Sequence, residues 1–361
     1  MARFGEGRGE THADMPGRGY RAAYGDITGY AVAGVLSAVG RTPLVELTRL
    51  LPGSRFRTFA KLEGVNPGGS IKDRSAFGML SDAIRTGEVV PGRSVVVESS
   101  SGNLGIGLAQ ACRYFDLRFV CVVDPRTNRQ NIAIMRALGA EVETVTTVDA
   151  ATGEYLPVRK RRVAELVATT PYAWCPNQYA NPRNAWAHRT TMREIVEALD
   201  GALDYLLVSV SSCGTLRGCA EFAEEHDLPV RIVAVDAEAS AIFHAPVGRR
   251  LLPGHGAAVR PALFRPGLAD EVVHVSDLDC LVGCRTLAAR EGILAGGSSG
   301  AVVSALTRLR DRIPTGANCA LIMPDSGERY LDTIYDDAWV AAHFGDVSEL
   351  WNHDPMEVVA C

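Results

Sequence analysis

Nowhere in this 361-residue chain do apolar residues run on for the ~20 positions that a membrane-spanning helix needs. No Cys-x-x-Cys pair occurs either. The nine cysteines are scattered and odd in number, and the eight histidines are dispersed, so no cluster of zinc ligands forms. Cys280 and Cys284, the closest pair, lie one turn apart on a helical reading but have no companions. Reduced, mostly buried thiols in a cytoplasmic protein are the expectation. Positive charge is not in excess: 37 Lys and Arg against 42 Asp and Glu leave a net charge of -5, with no dense basic stripe. That excludes the electrostatic footprint of a nucleic-acid binder. The segment 1–33 is rich in Gly, Arg and Ala without an apolar core, unlike a signal peptide or membrane anchor. It reads as a flexible tail, and no internal repeat follows it.

What is present fits a packed globular chain, 47% hydrophobic and 22% charged, long enough for roughly two lobes. From residue 94 onward, short apolar runs alternate with helical patterns. Ser94 to Glu98, Phe119 to Val123, Tyr205 to Val210, Arg231 to Val235 and Ala320 to Met323 read as strands. Leu104 to Tyr114 and Ile132 to Leu138 read as helices between them. Apolar runs of this length suit strands covered on both faces, hence a parallel α/β architecture. Ligands of such sheets bind beyond the carboxyl ends of the strands, where this chain places its unusual turns.

Four turns carry chemistry. In Asn66-Pro67-Gly68-Gly69-Ser70-Ile71-Lys72-Asp73-Arg74, Ser70 is placed to cap a helix beginning at Ile71, with Asp73 complementing its positive end. Lys72 then falls in the first turn, where a cation is misplaced and the neutral, nucleophilic amine is favoured. In Glu98-Ser99-Ser100-Ser101-Gly102-Asn103-Leu104-Gly105-Ile106-Gly107, hydroxyls and an Asn precede a helix start, a cradle for a carboxylate. The glycines there fall as GxxGxG, not as the dinucleotide pattern GxGxxG. Ser211-Ser212-Cys213-Gly214-Thr215 opens another helix and suits a phosphate dianion. Gly296-Gly297-Ser298-Ser299-Gly300 allows close approach of a flat ligand, with a hydroxyl for a ring nitrogen. Taken singly, each segment also fits a solvated lysine or a plain capped turn.

Together, in this order and spacing, they resemble the cysteine synthase and cystathionine β-synthase branch of pyridoxal-phosphate enzymes. The likeness runs from Gly40-Arg41-Thr42-Pro43-Leu44 to Gly327-Glu328-Arg329-Tyr330-Leu331. Within that branch, Glu98 to Ile106, Cys121-Val122-Val123-Asp124-Pro125, Asn177-Gln178-Tyr179-Ala180-Asn181, Val233 to Ala237 and Ala295 to Gly300 are most similar to the N-(2-amino-2-carboxyethyl)-L-glutamate synthases. The resemblance implies a two-lobed fold like the tryptophan synthase β chain, fold type II, each lobe a mainly parallel twisted sheet flanked by helices. A smaller mobile domain would take 34–43 and 66–181, and a larger cofactor-anchoring domain 44–65 and 182–345, with a C-terminal tail at 346–361. It also implies pyridoxal 5'-phosphate as cofactor and a homodimer. Lys72 would hold the cofactor as a Schiff base and then act as the proton-transfer base. Asn103 would bond its phenolic oxygen, Ser211, Ser212, Cys213, Gly214 and Thr215 its phosphate, and Ser298 its pyridine nitrogen. Ser100, Ser101 and Gln178 would hold the substrate carboxylate.

The chain also departs from the cysteine synthase pattern. Two glycines of the phosphate loop are replaced by Ser211 and Cys213, the Thr usual after Asn103 is Leu104, and Tyr179 stands where Phe is more frequent. These changes narrow or re-line the pocket, with Ser211 and Tyr179 each adding a hydroxyl, and put sulfide in doubt as second substrate. The expected reaction is β-replacement in two halves through an α-aminoacrylate. Phosphate is the expected leaving group, from O-phospho-L-serine, because of the added hydroxyls and of Arg159, whose guanidinium suits phosphate. A solvated helix charge within Arg159-Lys160-Arg161-Arg162 is the alternative. L-Glutamate as acceptor, and 2,3-diaminopropionate supply for a siderophore or peptide antibiotic as the destination, are implied by the resemblance alone. Two other readings compete: a cysteine synthase using sulfide, and a catalytically silent homologue serving as a binding partner. The joint presence of Lys72, Asn103 and Ser298 argues against the silent one.

Overall fold

Short apolar runs become strands here because both of their faces are covered. In the computed structural model, which describes residues 34–150, 153–243, 248 and 250–351, two sheets form. The expected N-terminal tail and residues 352–361 lie outside the described residues. The strands are β1 (Leu44–Glu46), β2 (Arg57–Leu62), β3 (Val95–Ser99), β4 (Arg118–Val123), β5 (Glu141–Thr144), β6 (Ala173–Trp174), β7 (Tyr205–Ser209), β8 (Arg231–Ala237), β9 (Glu271–Val275) and β10 (Asn318–Met323). The helices are α1 (Lys72–Thr86), α2 (Asn103–Tyr114), α3 (Arg129–Ala137), α4 (Tyr155–Thr169), α5 (Pro182–Ala187), α6 (Arg189–Ala198), α7 (Gly214–Glu225), α8 (Asp277–Glu291), α9 (Gly297–Leu309) and α10 (Asp337–Phe344).

The smaller sheet, in the order β5-β4-β3-β6, is parallel throughout. The larger, β1-β2-β10-β7-β8-β9, is parallel except where β1 runs against β2. Side chains alternate across each strand. On β7, Leu207 enters one core cluster while Leu206 and Val208 enter the other. On β4, Phe119, Cys121 and Val123 face one cluster, and Val120 and Val122 the opposite one. Both sheets are therefore sandwiched, which is why β3, β4, β7, β8 and β10 read as continuous apolar runs.

Helix α1 begins at Lys72, one residue later than its sequence suggests, with Ile71 ahead of it. The Ser70 hydroxyl still accepts from the Lys72 N–H at 3.2 Å. Asp73 does more than complement the helix end: its carboxylate accepts from the Gly68 N–H and closes the turn. Helix α3 starts three residues before its apolar pattern, because Asn128 caps it by accepting from the Gln130 N–H at 2.7 Å.

The start of α1 is anchored by a buried ion network. Arg74, 1% exposed, donates to both oxygens of Glu63 at 2.7 and 2.9 Å, and to both oxygens of Glu194 at 2.8 and 2.7 Å. Lys61 completes it, 2.7 Å from Glu194. Two cations thus face two carboxylates away from water. Burial works against the charged forms, but Arg74 and Lys61 hold the Glu194 carboxyl down at about 2. Thr42 donates to Glu63 at 2.7 Å, and the Arg41 N–H to Glu194 at 2.9 Å, so one guanidinium ties together β2, α1, α6 and the Arg41-Thr42 segment.

A second buried carboxyl shapes the turn after β3. Glu98 accepts from the Ser99 N–H at 2.8 Å and from the Gln178 N–H at 3.4 Å. Burial raises its pKa to about 7, against the pull of those N–H groups and of Lys160. It pins two loops that lie far apart in sequence.

Arg74→Met leaves Glu63 and Glu194 facing Lys61 alone, and denaturant unfolding should show a loss of about 3–5 kcal/mol. Glu98→Gln tests the other carboxyl by pH. The native pKa lies above the unfolded value, so stability is present at low pH and lost as pH rises toward 7. Between pH 5 and 8 the wild type should lose on the order of 2 kcal/mol relative to the non-titrating Gln variant. A pH-independent difference would show that the buried carboxyl does not titrate as described.

Candidate active site

The first and third of the four turns meet across one cavity. It is partly open to solvent and is lined by Ile71 and Lys72 at the start of α1, by Val208 to Leu216 across the β7–α7 turn, and by Gly254, Ile322 and Pro324. Lys72 is part-buried, with no carboxylate in salt-bridge range among the described residues. Its amine pKa is lowered by burial first, with Asp325 and Glu63 pulling the other way. Desolvation, more than the helix end, makes this amine a nucleophile. The chain has three lysines: besides Lys72, Lys61 is ion-paired in the network around Arg74, and Lys160 is exposed on α4 with its Nζ 6.0 Å from the Tyr179 ring centroid.

The β7–α7 turn is built for an anion. Cys213 adopts left-handed backbone, φ 64°, at the position where the resemblance expects glycine. Gly214 is required for a different reason: a Cβ there would sit 2.4 Å from the Asn184 Oδ1. The first N–H groups of α7 have no helical partner and belong to the wall of the cavity. Ser211 and Thr215 are part-exposed toward it, and Ser212 is buried, its hydroxyl accepting from Asn184 at 3.2 Å. Asn184 also donates to the Gln178 carbonyl at 2.6 Å and accepts from Ser75 at 2.8 Å. Its side chain thereby joins α1, the Gln178 loop and the β7–α7 turn.

The second and fourth turns meet at Asp325, just past β10. Its Oδ2 accepts from the Asn103 Nδ2 at 2.8 Å and from the Tyr330 hydroxyl at 2.5 Å, while Oδ1 is buried without a hydrogen-bond partner. A Cβ on Gly296 would come within 2.3 Å of that Oδ1. Burial raises the pKa of Asp325, opposed by Tyr330 and Asn103 and by the charges of Arg329 and Lys72. Arg329 donates to the Asn103 Oδ1 and to the Gly68 carbonyl, tying the first turn to the second. Ser298 is buried in the first turn of α9 with no hydrogen-bond partner among the described residues. Asn184, Asp325, Arg329 and Tyr330 were not singled out in the sequence. The signal for the last three was their place directly after an apolar strand, the location that marked the other turns.

The remaining candidates line the approach. The Ser100 hydroxyl accepts from the Gly105 N–H at 2.9 Å and closes the start of α2. The Ser101 carbonyl accepts from Asn131 at 3.1 Å. Gln178 is buried, with its backbone engaged by Glu98 and Asn184. Tyr179 is part-buried, and burial raises its phenol pKa, with the positive charges of Arg159 and Arg250 acting against that shift. Arg159 is 12% exposed; its Nε lies 3.4 Å from Asp124, and Nε and Nη1 are buried without hydrogen-bond partners. No cluster of His, Cys, Asp and Glu able to hold a metal occurs among the described residues, and no described helix is long and apolar enough to cross a membrane. The eight described cysteines are unpaired, seven of them buried.

A desolvated amine on a cavity wall, a helix start facing the same cavity, and the buried, unpaired Asp325 Oδ1 together fit a flat aldehyde bearing a phosphate. Residues 35–325 match the model of the pyridoxal-phosphate dependent enzyme family. The chain is 46% identical, over 308 residues, to an N-(2-amino-2-carboxyethyl)-L-glutamate synthase of Ralstonia nicotianae, covering 85% of this chain and 90% of that one. It is 43% identical to the synthase of that name in Cupriavidus metallidurans, covering 85% and 91%. Among solved structures it is similar to the O-acetylserine dependent cystathionine beta-synthase of Helicobacter pylori, with TM-score 0.77, 30% identity and coverage of 85% and 100%. It is also similar to a cysteine synthase of Entamoeba histolytica, with TM-score 0.78, 32% identity and coverage of 85% and 92%. The two-sheet architecture is that of fold type II, and the chain belongs to the pyridoxal-phosphate dependent enzymes as a transferase of the β-replacement type.

Proposed function

We propose that the chain replaces the phosphate of O-phospho-L-serine by the amino group of L-glutamate, giving N-(2-amino-2-carboxyethyl)-L-glutamate. The observation that carries the choice of leaving group is Arg159, a nearly buried guanidinium beside Tyr179 with two N–H positions unused. Asp124 pairs with it on one side only, so donors are left for a second anion, and its fork matches phosphate. The choice of acceptor is supported by the names of the two similar synthases. The same likeness carries the destination, a 2,3-diaminopropionate precursor for a siderophore or peptide antibiotic, and a cytoplasmic homodimer.

The cofactor, when bound, supplies an electron sink for the substrate α-carbon. The Lys72 amine, whose pKa burial lowers, would anchor it and then move the α-proton. Ser211 to Thr215 would hold the cofactor phosphate at the start of α7. Asn103, whose side chain is fixed by Asp325 and Arg329, would bond the ring oxygen, and Ser298 the ring nitrogen. A hydroxyl there, unlike a carboxylate, would not favour protonation of that nitrogen. Ser100, Ser101 and Gln178 receive the substrate carboxylate. In the net reaction the β-carbon–oxygen bond breaks with its electron pair leaving on phosphate. The amine lone pair forms the new carbon–nitrogen bond, and the amine gives up one proton.

Mass spectrometry of a mixture of protein, O-phospho-L-serine and L-glutamate should show the joined product, with one orthophosphate released per product. Faster turnover of O-acetyl-L-serine with sulfide would make the chain a cysteine synthase and overturn the proposal. Lys72→Ala should abolish the visible absorbance of the bound cofactor and lower turnover on the order of 1,000-fold.

A further inference from the structure

The loop between β8 and β9 carries two polar side chains that nothing above uses. Arg250 is part-buried, makes no ion pair among the described residues, and leaves Nη1 buried without a hydrogen-bond partner. His255 is 4% exposed, and neither of its ring nitrogens has a partner. Their backbone is held firmly. Leu251 and Leu252 donate to Asp277 at 2.8 and 3.2 Å, and the Gly256 N–H donates at 2.7 Å to the carbonyl of Val210, the residue before Ser211. Gly254 belongs to the wall of the cavity itself. A Cβ on Gly256 would fall 2.7 Å from the Arg250 Nη1 and 2.9 Å from the Ala237 Cβ, so the unused N–H packs against Gly256, whose own N–H holds the residue before Ser211.

Burial lowers the pKa of Arg250, and the charges facing it, Asp236, Tyr179 and Asp277, do not make up the loss. Of these, Asp236 is buried with its own pKa raised by burial. His255 is held neutral at about 4, by burial first and then by Arg250; the nearby Asp236 backbone opposes the shift without the geometry of a hydrogen bond. A neutral imidazole donates or accepts beside an anion without adding charge. A half-desolvated guanidinium with an idle donor beside a reaction cavity is stabilised by an incoming carboxylate.

The positive charges of Arg159, on α4, and of Arg250, on the β8–β9 loop, both act on the Tyr179 phenol, and the Lys160 Nζ lies 6.0 Å from its ring centroid. A donor whose carboxylate sits on Ser100, Ser101 and Gln178, and whose phosphate sits on Arg159, leaves Arg250 unspent. Sulfide needs no such group. We infer that Arg250 binds a carboxylate of the acceptor, so that the second substrate is an amine bearing a negative charge remote from its nitrogen, with His255 beside it as a neutral donor. This rests on the β-replacement reading and names the residue that selects its acceptor.

The test uses holoenzyme of the wild type, Arg250→Gln, Arg250→Lys and Arg159→Gln. Orthophosphate release from O-phospho-L-serine without acceptor reads the first half of the reaction. The L-glutamate concentration that half-saturates product formation reads the second, with L-glutamine as the uncharged comparison. Arg250→Gln should raise the half-saturating glutamate concentration ~30-fold and erase the preference for glutamate over glutamine, with phosphate release within ~3-fold of wild type. Arg250→Lys should fall between, and Arg159→Gln should show the reverse split. Unchanged glutamate dependence in Arg250→Gln, or an equal fall in both halves, overturns the inference. A wild type that releases phosphate but ignores glutamate overturns it too, whereas a wild type that releases no phosphate brings down the donor reading as well.

Discussion

One guanidinium with almost no access to water fixes where the chemistry happens. Arg74 sits two residues after Lys72 on α1 and satisfies two carboxylates from opposite directions, Glu63 at the end of β2 and Glu194 on α6. The four buried charges cancel, and nearly every polar edge has a partner. Removing any member strands another in a low-dielectric interior, so the arrangement has few alternatives. The first turn of α1 is consequently held in place from behind. The amine of Lys72 can remain desolvated in front because the helix that carries it does not depend on that amine for its position.

Two hubs extend this rigidity outward. Asn184 joins α1 to the Gln178 loop and to the β7–α7 turn, and Asp325 joins the Asn103 turn to the start of α9. Arg329 closes the circuit back to Gly68. The Asp325 hub joins residues 222 apart in sequence and the Asn184 hub residues 109 apart. The groups assigned to the cofactor therefore share one framework, whereas Arg159, Tyr179 and Arg250 stand at its rim with donors to spare. That division suits an enzyme whose cofactor stays while its substrates come and go.

Much of this was legible in the sequence, for a physical reason. Strands buried on both faces cannot carry polar residues, so β3, β4, β7, β8 and β10 announce themselves as apolar runs. Turns that meet ligands must expose glycines and hydroxyls after them, which flagged the segments around Lys72, Asn103, Ser211 and Ser298. What escaped were elements without that contrast. Strands β5, Glu141–Thr144, and β6, Ala173–Trp174, are short edges with mixed burial, and no periodicity marks them. The hubs escaped because a buried Asn or Asp declares its role only through partners distant in sequence. The start of α3 was missed because its signal was a cap, Asn128, ahead of the apolar pattern.

The scarcity of lysine has a further consequence. An aldehyde cofactor condenses with any accessible primary amine, so most proteins handling one expose many decoy sites. This chain carries its positive charge almost wholly as arginine, whose guanidinium does not form such adducts under ordinary conditions. Beyond Lys72, the residue proposed to hold the aldehyde, one lysine is locked in an ion pair and one is exposed on α4. Loading with excess cofactor should thus be nearly stoichiometric, and side-chain decoration by a carbonyl reagent has essentially a single outlying address.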